Sequence, residues 1–118
     1  VVVAIALPGL RIGLVEGRRV RASFLELAVE SIGLANARVI GQRLEKLDER
    51  VDVCFARALA PLDEAWERAS RLLAPAGRLV YFEGRSESAA IPRDARVLER
   101  RASPVLESAG ALVIMGRQ

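Results

Sequence analysis

The sequence predicts an α/β protein built on a mostly parallel sheet whose strands alternate with helices. Apolar strand-like runs alternate along the chain with amphipathic segments of helical period. The run Val51–Ala56 is apolar on both faces, which is typical of strands inside parallel sheets. The last two strand-like runs have no helix between them and predict an antiparallel C-terminal hairpin. A length of 118 residues suits one domain, and no internal boundary is predicted.

The first part of the chain predicts two strands around one long helix. The helix is indicated by apolar residues that recur at three-to-four spacing from Val20 through Phe24 and Leu27, and Gly33 suits a left-handed cap at its end. The predicted elements are a helical segment over 1–7, a strand over 11–16, a helix over 18–33, a strand over 37–41 and a short turn through 44–47.

The second part predicts a strand, a helix and three further strands. Pro61 suits the first helical position, and Asp63 and Glu64 complement the positive end of the helix dipole. Trp66 is predicted to be a core anchor, and Pro75-Ala76-Gly77 is predicted to end the helical stripe, which includes Leu72 and Leu73. The predicted elements are a strand over 51–56, a helix from 61, a strand over 78–83, a loop over 84–94 and strands over 96–102 and 111–116.

Composition excludes several kinds of site. Cys54 is the single cysteine and there is no histidine, so an internal disulfide framework, a Cys/His zinc site and a Ser-His nucleophile pair are excluded, and no metal is expected. Cys54 is predicted to be a small core residue. No apolar run approaches the roughly 20 residues that span a bilayer, and the start lacks the basic region of a signal peptide. The expected location is the cytoplasm, without membrane association.

Two residues at predicted strand ends are the leading candidates for chemistry. The carboxyl ends of parallel strands border the crevice where α/β sheets bind ligands. Glu16 follows one strand, where a carboxylate can accept hydrogen bonds from ribose hydroxyls; the alternative is an acid that stabilises the next helix. Arg57 follows Val51–Ala56 and is expected to face a ligand or substrate; the alternative is a structural salt bridge.

Two weaker signals accompany them. Leu44 and Glu45 follow the second strand, where backbone groups could meet an adenine ring; an exposed ion pair is the alternative. The basic clusters Arg18-Arg19-Arg21 and Arg100-Arg101 could touch nucleic acid, although such runs are more often solvated faces.

The order and spacing of four segments resemble one family. These segments are Leu14–Leu25, Arg43–Glu45, Ala56–Leu62 and Leu73–Leu79. The chain resembles the RsmG (GidB) family of small-subunit (16S) ribosomal RNA guanine-N7 methyltransferases from about residue 1 to 84, and more loosely beyond. The Arg-Ala-x-Ala-x-Leu segment that begins at Arg57 is specific to that family, whereas the acidic strand end and the Pro-x-Gly turn are shared by class I methyltransferases.

The resemblance implies a Rossmann-like class I methyltransferase that uses S-adenosyl-L-methionine to methylate ribosomal RNA. Glu16 would match the acid that binds the ribose, and Leu44 and Glu45 would match the loop beside the adenine. Arg57 would match the arginine near the methyl donor and the incoming guanine, as a cofactor-binding and catalytic residue. Arg18, Arg19 and Arg21 would contact the RNA.

The departures from the family motivate further expectations. The family's first strand and its Gly-rich loop are not in the sequence, which therefore predicts a partial S-adenosylmethionine-binding domain over 1–118, truncated or divergent, with little or no activity as this chain. Basic residues of the family are replaced at Val20, Glu83-Gly84 and Gly110-Ala111. The alternatives are a non-catalytic Rossmann-like module that binds RNA or protein, and a class I methyltransferase with another substrate. Opened strand edges would favour self-association.

Overall fold

The computed structural model describes residues 1–57, 61–83, 90–102 and 111–118. These residues form two compact units, 1–47 and 48–118, which are described separately. Both units combine helices with sheet, so the predicted α/β class is confirmed. Three parts of the sequence discussed above lie outside the described residues: Ala58–Ala60 of the arginine segment, most of the predicted loop over 84–94, and the connection that contains Pro104 and Gly110.

The first unit is a strand–helix–strand arrangement preceded by a short helix. Its elements are α1 (Val2–Ala6), β1 (Ile12–Val15), α2 (Arg19–Ile32), β2 (Ala37–Ile40) and a 3₁₀ turn (Leu44–Lys46). β1 and β2 pair in parallel, and α2 forms the crossover between them. Gly33 ends α2 at a positive φ of 74°, and its N–H donates to the carbonyls of Val29 and Glu30. The bounds predicted from sequence are confirmed within one or two residues.

Asn36 fixes the path of the chain between α1 and β1. Its side-chain Nδ2 donates to three carbonyl oxygens, at 3.0 Å to Ala4, 3.2 Å to Leu7 and 2.9 Å to Leu10. The Asn36 carbonyl also accepts a bond of 2.7 Å from the N–H of Ile12, the first residue of β1. One side chain therefore satisfies carbonyls that the end of a short helix leaves open.

The apolar stripe of α2 is exposed. Val20, Phe24 and Leu27 are 83%, 70% and 63% exposed, whereas Ala22, on another face, is the buried residue of this helix. Helical period correctly predicted the helix, but it did not predict which face is buried. The reason is that Ala22 lies against the end of β2: its Cβ is 3.9 Å from the position that a Cβ on Gly41 would take.

The second unit is a four-stranded mixed sheet with one helix. Its elements are β3 (Val51–Arg57), α3 (Leu62–Ser70), β4 (Leu73–Phe82), β5 (Ala95–Arg101) and β6 (Leu112–Arg117). The strand order is β3-β4-β6-β5. β3 and β4 are parallel, while β6 is antiparallel to both β4 and β5. The predicted antiparallel C-terminal hairpin is therefore confirmed.

The core of this unit lies between α3 and one face of the sheet. Trp66 is 1% exposed, which confirms it as the core anchor. Cys54 packs against this core, and burial raises the pKa of its thiol. The other large buried side chains are Leu73, Leu79, Tyr81, Val113 and Met115.

The prediction for the end of α3 was wrong. α3 ends at Ser70, and β4 begins at Leu73 rather than at Arg78. Leu72 and Leu73 are buried as expected, but they lie beyond the helix. Pro75–Gly77 lies inside β4, where the pairing with β3 shifts: Val51 is opposite Leu73, and Val53 is opposite Arg78. Proline and glycine are tolerated in a strand at such an irregularity.

The prediction that β3 is buried on both faces was also wrong for this structure. Val53 and Phe55 are 42% and 39% exposed, while Cys54 and Ala56 contact the core. β3 pairs with β4 on one side, and the described residues place no strand on its other side. Apolar residues on both faces show that a strand tolerates burial, but they do not supply the layer that would cover it.

Two arginines close the corner between α3 and β4. Arg117, in β6, donates to the carbonyls of Ser70, Leu73 and Ala74 at 2.5, 3.2 and 2.9 Å. Arg50 also donates to the Leu73 carbonyl, at 3.2 Å. The carbonyl of Ser70, the last residue of α3, and the carbonyls of the first two residues of β4 are thus satisfied by a guanidinium from a distant part of the sequence.

Candidate functional site

Glu16 lies directly after β1, at the carboxyl end of a parallel strand. It is half-buried, and its N–H donates to the Ile40 carbonyl at 3.0 Å, which extends the pairing of β1 with β2 by one step. Its Oε1 accepts a hydrogen bond of 3.0 Å from the N–H of Arg18. The carboxylate therefore has the position predicted for a ribose-binding acid, and it also makes the local contact with the start of α2 that the alternative predicted.

The turns that follow β1 and β2 lie against each other. A Cβ placed on Gly17 would fall 2.9 Å from Cγ and 3.4 Å from Cα of Arg43. Arg43 immediately precedes the 3₁₀ turn that holds Leu44, which is half-buried, and Glu45, which is exposed. Because glycine permits this approach, the structure brings the predicted adenine-side turn next to the turn that carries Glu16.

An apolar groove of about 380 Å³ begins at Glu16. Its walls come from the first two turns of α2: Val20, Arg21, Phe24 and Leu25. A carboxylate beside apolar walls is the general composition of a small-molecule site. Phe24 and Val20 were not predicted as lining residues, because helical spacing indicates a helix but not the surface that its apolar residues face.

The groove is not the largest hollow of the first unit. A hollow of about 550 Å³ lies near the other end of α2, where Ile32, Gly33 and Asn36 line it together with residues of α1 and the segment after it. The Asn36 amide already donates to three carbonyls there. The groove at Glu16 is the better candidate, because it alone of the two contains a carboxylate at a strand's carboxyl end.

The predicted RNA-binding arginines lie at the start of α2. Arg18 is the N-cap residue, Arg19 opens the helix, and both are exposed, as is Arg21. The first turn of α2 carries no acidic residue. Cations at this end oppose the helix dipole, whereas an anion held there would be favoured by the dipole and the arginines together.

Arg57 belongs to the second unit. It is the last residue of β3, it pairs in register with Phe82 of β4, and it is exposed. Its guanidinium is therefore solvated, and the expected cost of burying a charge after an apolar strand does not arise. The structure brings Glu16, Leu44 and Glu45 together within the first unit and places Arg57 at a strand end of the second.

One charged pair of the second unit was not predicted. Glu83 follows β4 directly, and both of its carboxylate oxygens accept hydrogen bonds from Nη1 of Arg100, at 3.0 and 2.6 Å. Seventeen residues separate the two partners in sequence. No local spacing could have indicated this pair, because it depends on the order of the strands.

The described residues contain neither a cluster of metal-binding side chains nor a helix that could cross a membrane. Across 1–57, 61–83, 90–102 and 111–118, no three side chains of the metal-binding types cluster together. In the same part of the chain, no helix has the length and apolar character needed to cross a membrane.

Comparison with known proteins gives consistent matches. The family model described as "GidB: rRNA small subunit methyltransferase G" matches residues 1–107. "Ribosomal RNA small subunit methyltransferase G" of Rhizorhabdus wittichii is 41% identical over 112 residues, which cover 87% of this chain and 52% of the relative. The chain spans about half the length of such curated relatives.

Solved structures show the same fold at low sequence identity. The mitomycin 7-O-methyltransferase MmcR has a TM-score of 0.76 at 17% identity, with 98% of this chain and 44% of that chain covered. An rRNA methylase from Streptococcus thermophilus has a TM-score of 0.64 at 16% identity, with 94% and 76% covered. These likenesses confirm the predicted Rossmann-like class I methyltransferase architecture.

Proposed function

The chain belongs to the GidB family of rRNA small subunit methyltransferases G, and from this premise we propose that it takes part in methyl transfer to N7 of a guanine in small-subunit ribosomal RNA. We take residues 1–118 to belong to one S-adenosylmethionine-binding domain. The observation that carries the proposal is the Glu16 carboxylate, which stands at the carboxyl end of a parallel strand beside an apolar groove. A ribosomal RNA substrate would place the activity in the cytoplasm.

The residues of the first unit fit the nucleoside part of S-adenosyl-L-methionine. Glu16 would accept hydrogen bonds from the ribose hydroxyls, for which a carboxylate has several acceptor positions besides the one that Arg18 uses. Leu44 and Glu45 would lie beside the adenine, because the approach of Gly17 to Arg43 holds their turn next to Glu16. The cofactor would supply an electrophilic methyl group.

The chemistry of the acceptor asks little of the protein. Guanine N7 carries a free lone pair, so no proton must be removed before it attacks a methyl carbon. Catalysis would then consist of positioning and electrostatic complementarity. Arg57, exposed at the end of β3, would contact the donor and the incoming guanine. A chain without histidine is compatible with this chemistry.

The RNA backbone would be held by the basic start of α2. Arg18, Arg19 and Arg21 are exposed and stand at a helix end that itself favours anions. Phosphate contacts of this kind position RNA without reading its sequence. Specificity for one guanine would therefore depend on other parts of the site.

Calorimetric titration of S-adenosylhomocysteine into the chain tests the cofactor proposal. Saturable binding is expected, and Glu16→Ala should weaken it about tenfold, which corresponds to about 1.4 kcal/mol. Glu26→Ala is the matched control, because Glu26 is an exposed glutamate of α2 outside the groove. Equal binding by both variants would contradict the role of Glu16.

An RNA experiment separates the enzyme from the non-catalytic alternative. The chain should bind both S-adenosylhomocysteine and deproteinised small-subunit RNA, and methylation of a guanine N7 after addition of S-adenosylmethionine would show the transfer directly. RNA binding without any binding of S-adenosylhomocysteine would instead favour a binding module. A chain that binds neither S-adenosylhomocysteine nor RNA would contradict the proposal.

Self-association through strand edges is a further part of the proposal. Within the described residues, one side of β3 has no paired strand. Val53 and Phe55 expose apolar surface on the face of β3 that does not contact the core. Light scattering after gel filtration should show a species larger than 12.8 kDa. Val53→Lys should shift it to the monomer, while Val20→Lys, which removes exposed apolar surface from a helix, should not. A monomer at every concentration would overturn this part.

A further inference from the structure

Three strands of the second unit end on the same side of its sheet. β3 and β4 are parallel, and β5 runs in their direction because both β4 and β5 are antiparallel to β6. Their carboxyl ends therefore place Arg57, Glu83 and the pair Arg100-Arg101 along the same end of the sheet, where the strands stop. We call Arg57, Arg100 and Arg101 the arginine edge.

The last cross-strand row of the sheet gives the spacing of this edge. In register, Arg57 is opposite Phe82, Phe82 is opposite Leu112, and Leu112 is opposite Arg101. The row crosses all four strands, so three spacings of about 4.8 Å put the two arginine backbones about 14 Å apart. Arg100 stands one residue from this row, so its side chain points to the opposite face of the sheet, the face of Val113, whereas Arg57 and Arg101 share the face of Phe82 and Leu112.

Carboxylates hold two of the three guanidinium groups. The Glu83 side chain is only 13% exposed, and its own N–H donates to the Ala111 carbonyl at 2.9 Å, so its position is fixed. It binds Arg100 through Nη1 alone, and the Arg100 side chain stays 51% exposed. Nε of Arg101 donates to Glu99 at 2.5 Å, with the Arg101 side chain 66% exposed. Each guanidinium keeps further N–H donors for a ligand.

We propose that Arg100 and Arg101, the part of the arginine edge farthest from Arg57, bind backbone phosphates of single-stranded RNA, and that Glu83 is the positioning residue for Arg100. The proposal rests on the proposed RNA substrate and concerns the second predicted basic cluster, Arg100-Arg101, rather than Arg18-Arg19-Arg21; what the structure adds is the carboxylate partner Glu83. Exposed guanidinium groups whose backbones span about 14 Å and whose side chains lie on both faces of the sheet suit a charged polymer better than a small anion, which needs converging donors. The forked arginine geometry matches phosphate oxygens.

The charges alone and the geometry predict opposite effects at Glu83. Three guanidinium groups and the two carboxylates Glu83 and Glu99 leave one net positive charge. If Glu83 only lowers that charge, Glu83→Gln removes a repulsion and strengthens RNA binding. If Glu83 holds Arg100 in place, Glu83→Gln weakens RNA binding although the surface becomes more positive. The proposal requires the second outcome.

Fluorescence anisotropy with a labelled single-stranded oligoribonucleotide measures the effect on the whole chain. Arg100→Ala should weaken binding on the order of fivefold and lower the salt slope of the affinity by about 0.7, the value for one phosphate contact on a single strand. Arg96→Ala is the matched control: it removes the same charge from the same strand, about 13 Å away at the amino end of β5. Circular dichroism checks that each variant is folded.

A double-mutant cycle isolates the positioning role. Glu83→Gln should weaken binding in the unsubstituted chain, should have no further effect once Arg100 is alanine, and should be partly rescued by Glu83→Asp. Unchanged affinity in Arg100→Ala, or an effect equal to that of Arg96→Ala, overturns the inference and leaves the proposed function standing. Stronger binding by Glu83→Gln overturns the positioning role. An unsubstituted chain that binds no RNA overturns both proposals.

Discussion

The indole Nε1 of Trp66 donates a hydrogen bond of 3.1 Å to Oδ1 of Asp94. Trp66 lies at the centre of the core of the second unit, and Asp94 directly precedes β5. The carbonyl of Asp94 also accepts the N–H of Gln118, at 2.9 Å. The bond thus ties α3 to the start of the edge strand β5 and satisfies the polar atom of a side chain that is otherwise buried among apolar groups.

Asp94→Ala should therefore destabilise the chain. The variant leaves the buried indole N–H without its acceptor, which typically costs about 1–3 kcal/mol of unfolding free energy. Asp94→Asn is the matched control, because its amide retains the Oδ1 acceptor. Urea unfolding followed by tryptophan fluorescence measures both variants. Equal stability of Asp94→Ala and the unsubstituted chain would show that water replaces the carboxylate.

Gly77→Ala should destabilise β4. A Cβ at position 77 would fall 2.9 Å from the Ala74 carbonyl oxygen and 3.0 Å from Cβ of Leu73, and backbone atoms cannot move aside cheaply. Overpacking of this kind costs about 1–3 kcal/mol. Gly9→Ala should be nearly neutral, because nothing lies within 4 Å of the added atom. Thermal unfolding of the two variants makes the comparison, and similar melting temperatures would contradict the close packing at Gly77.

Asn36→Ala should loosen the first unit. It removes three hydrogen bonds to the carbonyls of Ala4, Leu7 and Leu10. Because these groups are only partly buried, water replaces some of the loss, and a cost of about 1–2 kcal/mol is expected. Hydrogen exchange should show faster exchange of the amides in residues 1–12. Asn36→Asp, which cannot donate to the carbonyls, should give no rescue.

Cys54 should be slow to react with iodoacetamide. Burial raises the pKa of its thiol above the ordinary 9.0, so the reactive thiolate is scarce in the folded chain. In the unfolded chain the thiol ionises at the lower, ordinary pKa. Stability from this group is thus complete below that value and declines as the pH rises above it. Cys54→Ala should remove this part of the loss of stability at alkaline pH. Fast alkylation of Cys54 in the native chain would contradict the predicted slow reaction.

Local patterns predicted the elements well because they depend on neighbouring residues. The period of α2 and the cap at Gly33 fixed that helix within a residue at each end. Pro75–Gly77 was wrongly predicted to end a helix, because proline and glycine also fit an irregular strand. Whether the segment ends a helix or continues a strand depends on how β4 pairs with Val51 and Val53 of β3. The exposure of Val20 and Phe24 could not be predicted either, because burial depends on which surface lies opposite.

The same distinction between local and long-range features applies to the candidate site. The positions of Glu16 and Arg57 at the carboxyl ends of strands were predicted correctly, because strand ends can be located from sequence. The approach of Gly17 to Arg43 and the pair Glu83–Arg100 were not, because both join segments whose proximity follows from the order of the strands. Sequence thus located single residues at the carboxyl ends, and the structure supplied their neighbours.

The position of β6 between β4 and β5 affects the order in which the second unit can form. On the ribosome β5 is synthesised before β6, but it has no sheet partner until β6 inserts beside β4. Arg117, which closes the corner between α3 and β4, is the last residue of β6, so this corner also waits for β6. The nascent chain therefore holds β5 unpaired until β6 has also left the exit tunnel, so the strands of this sheet cannot pair in the order in which they are synthesised.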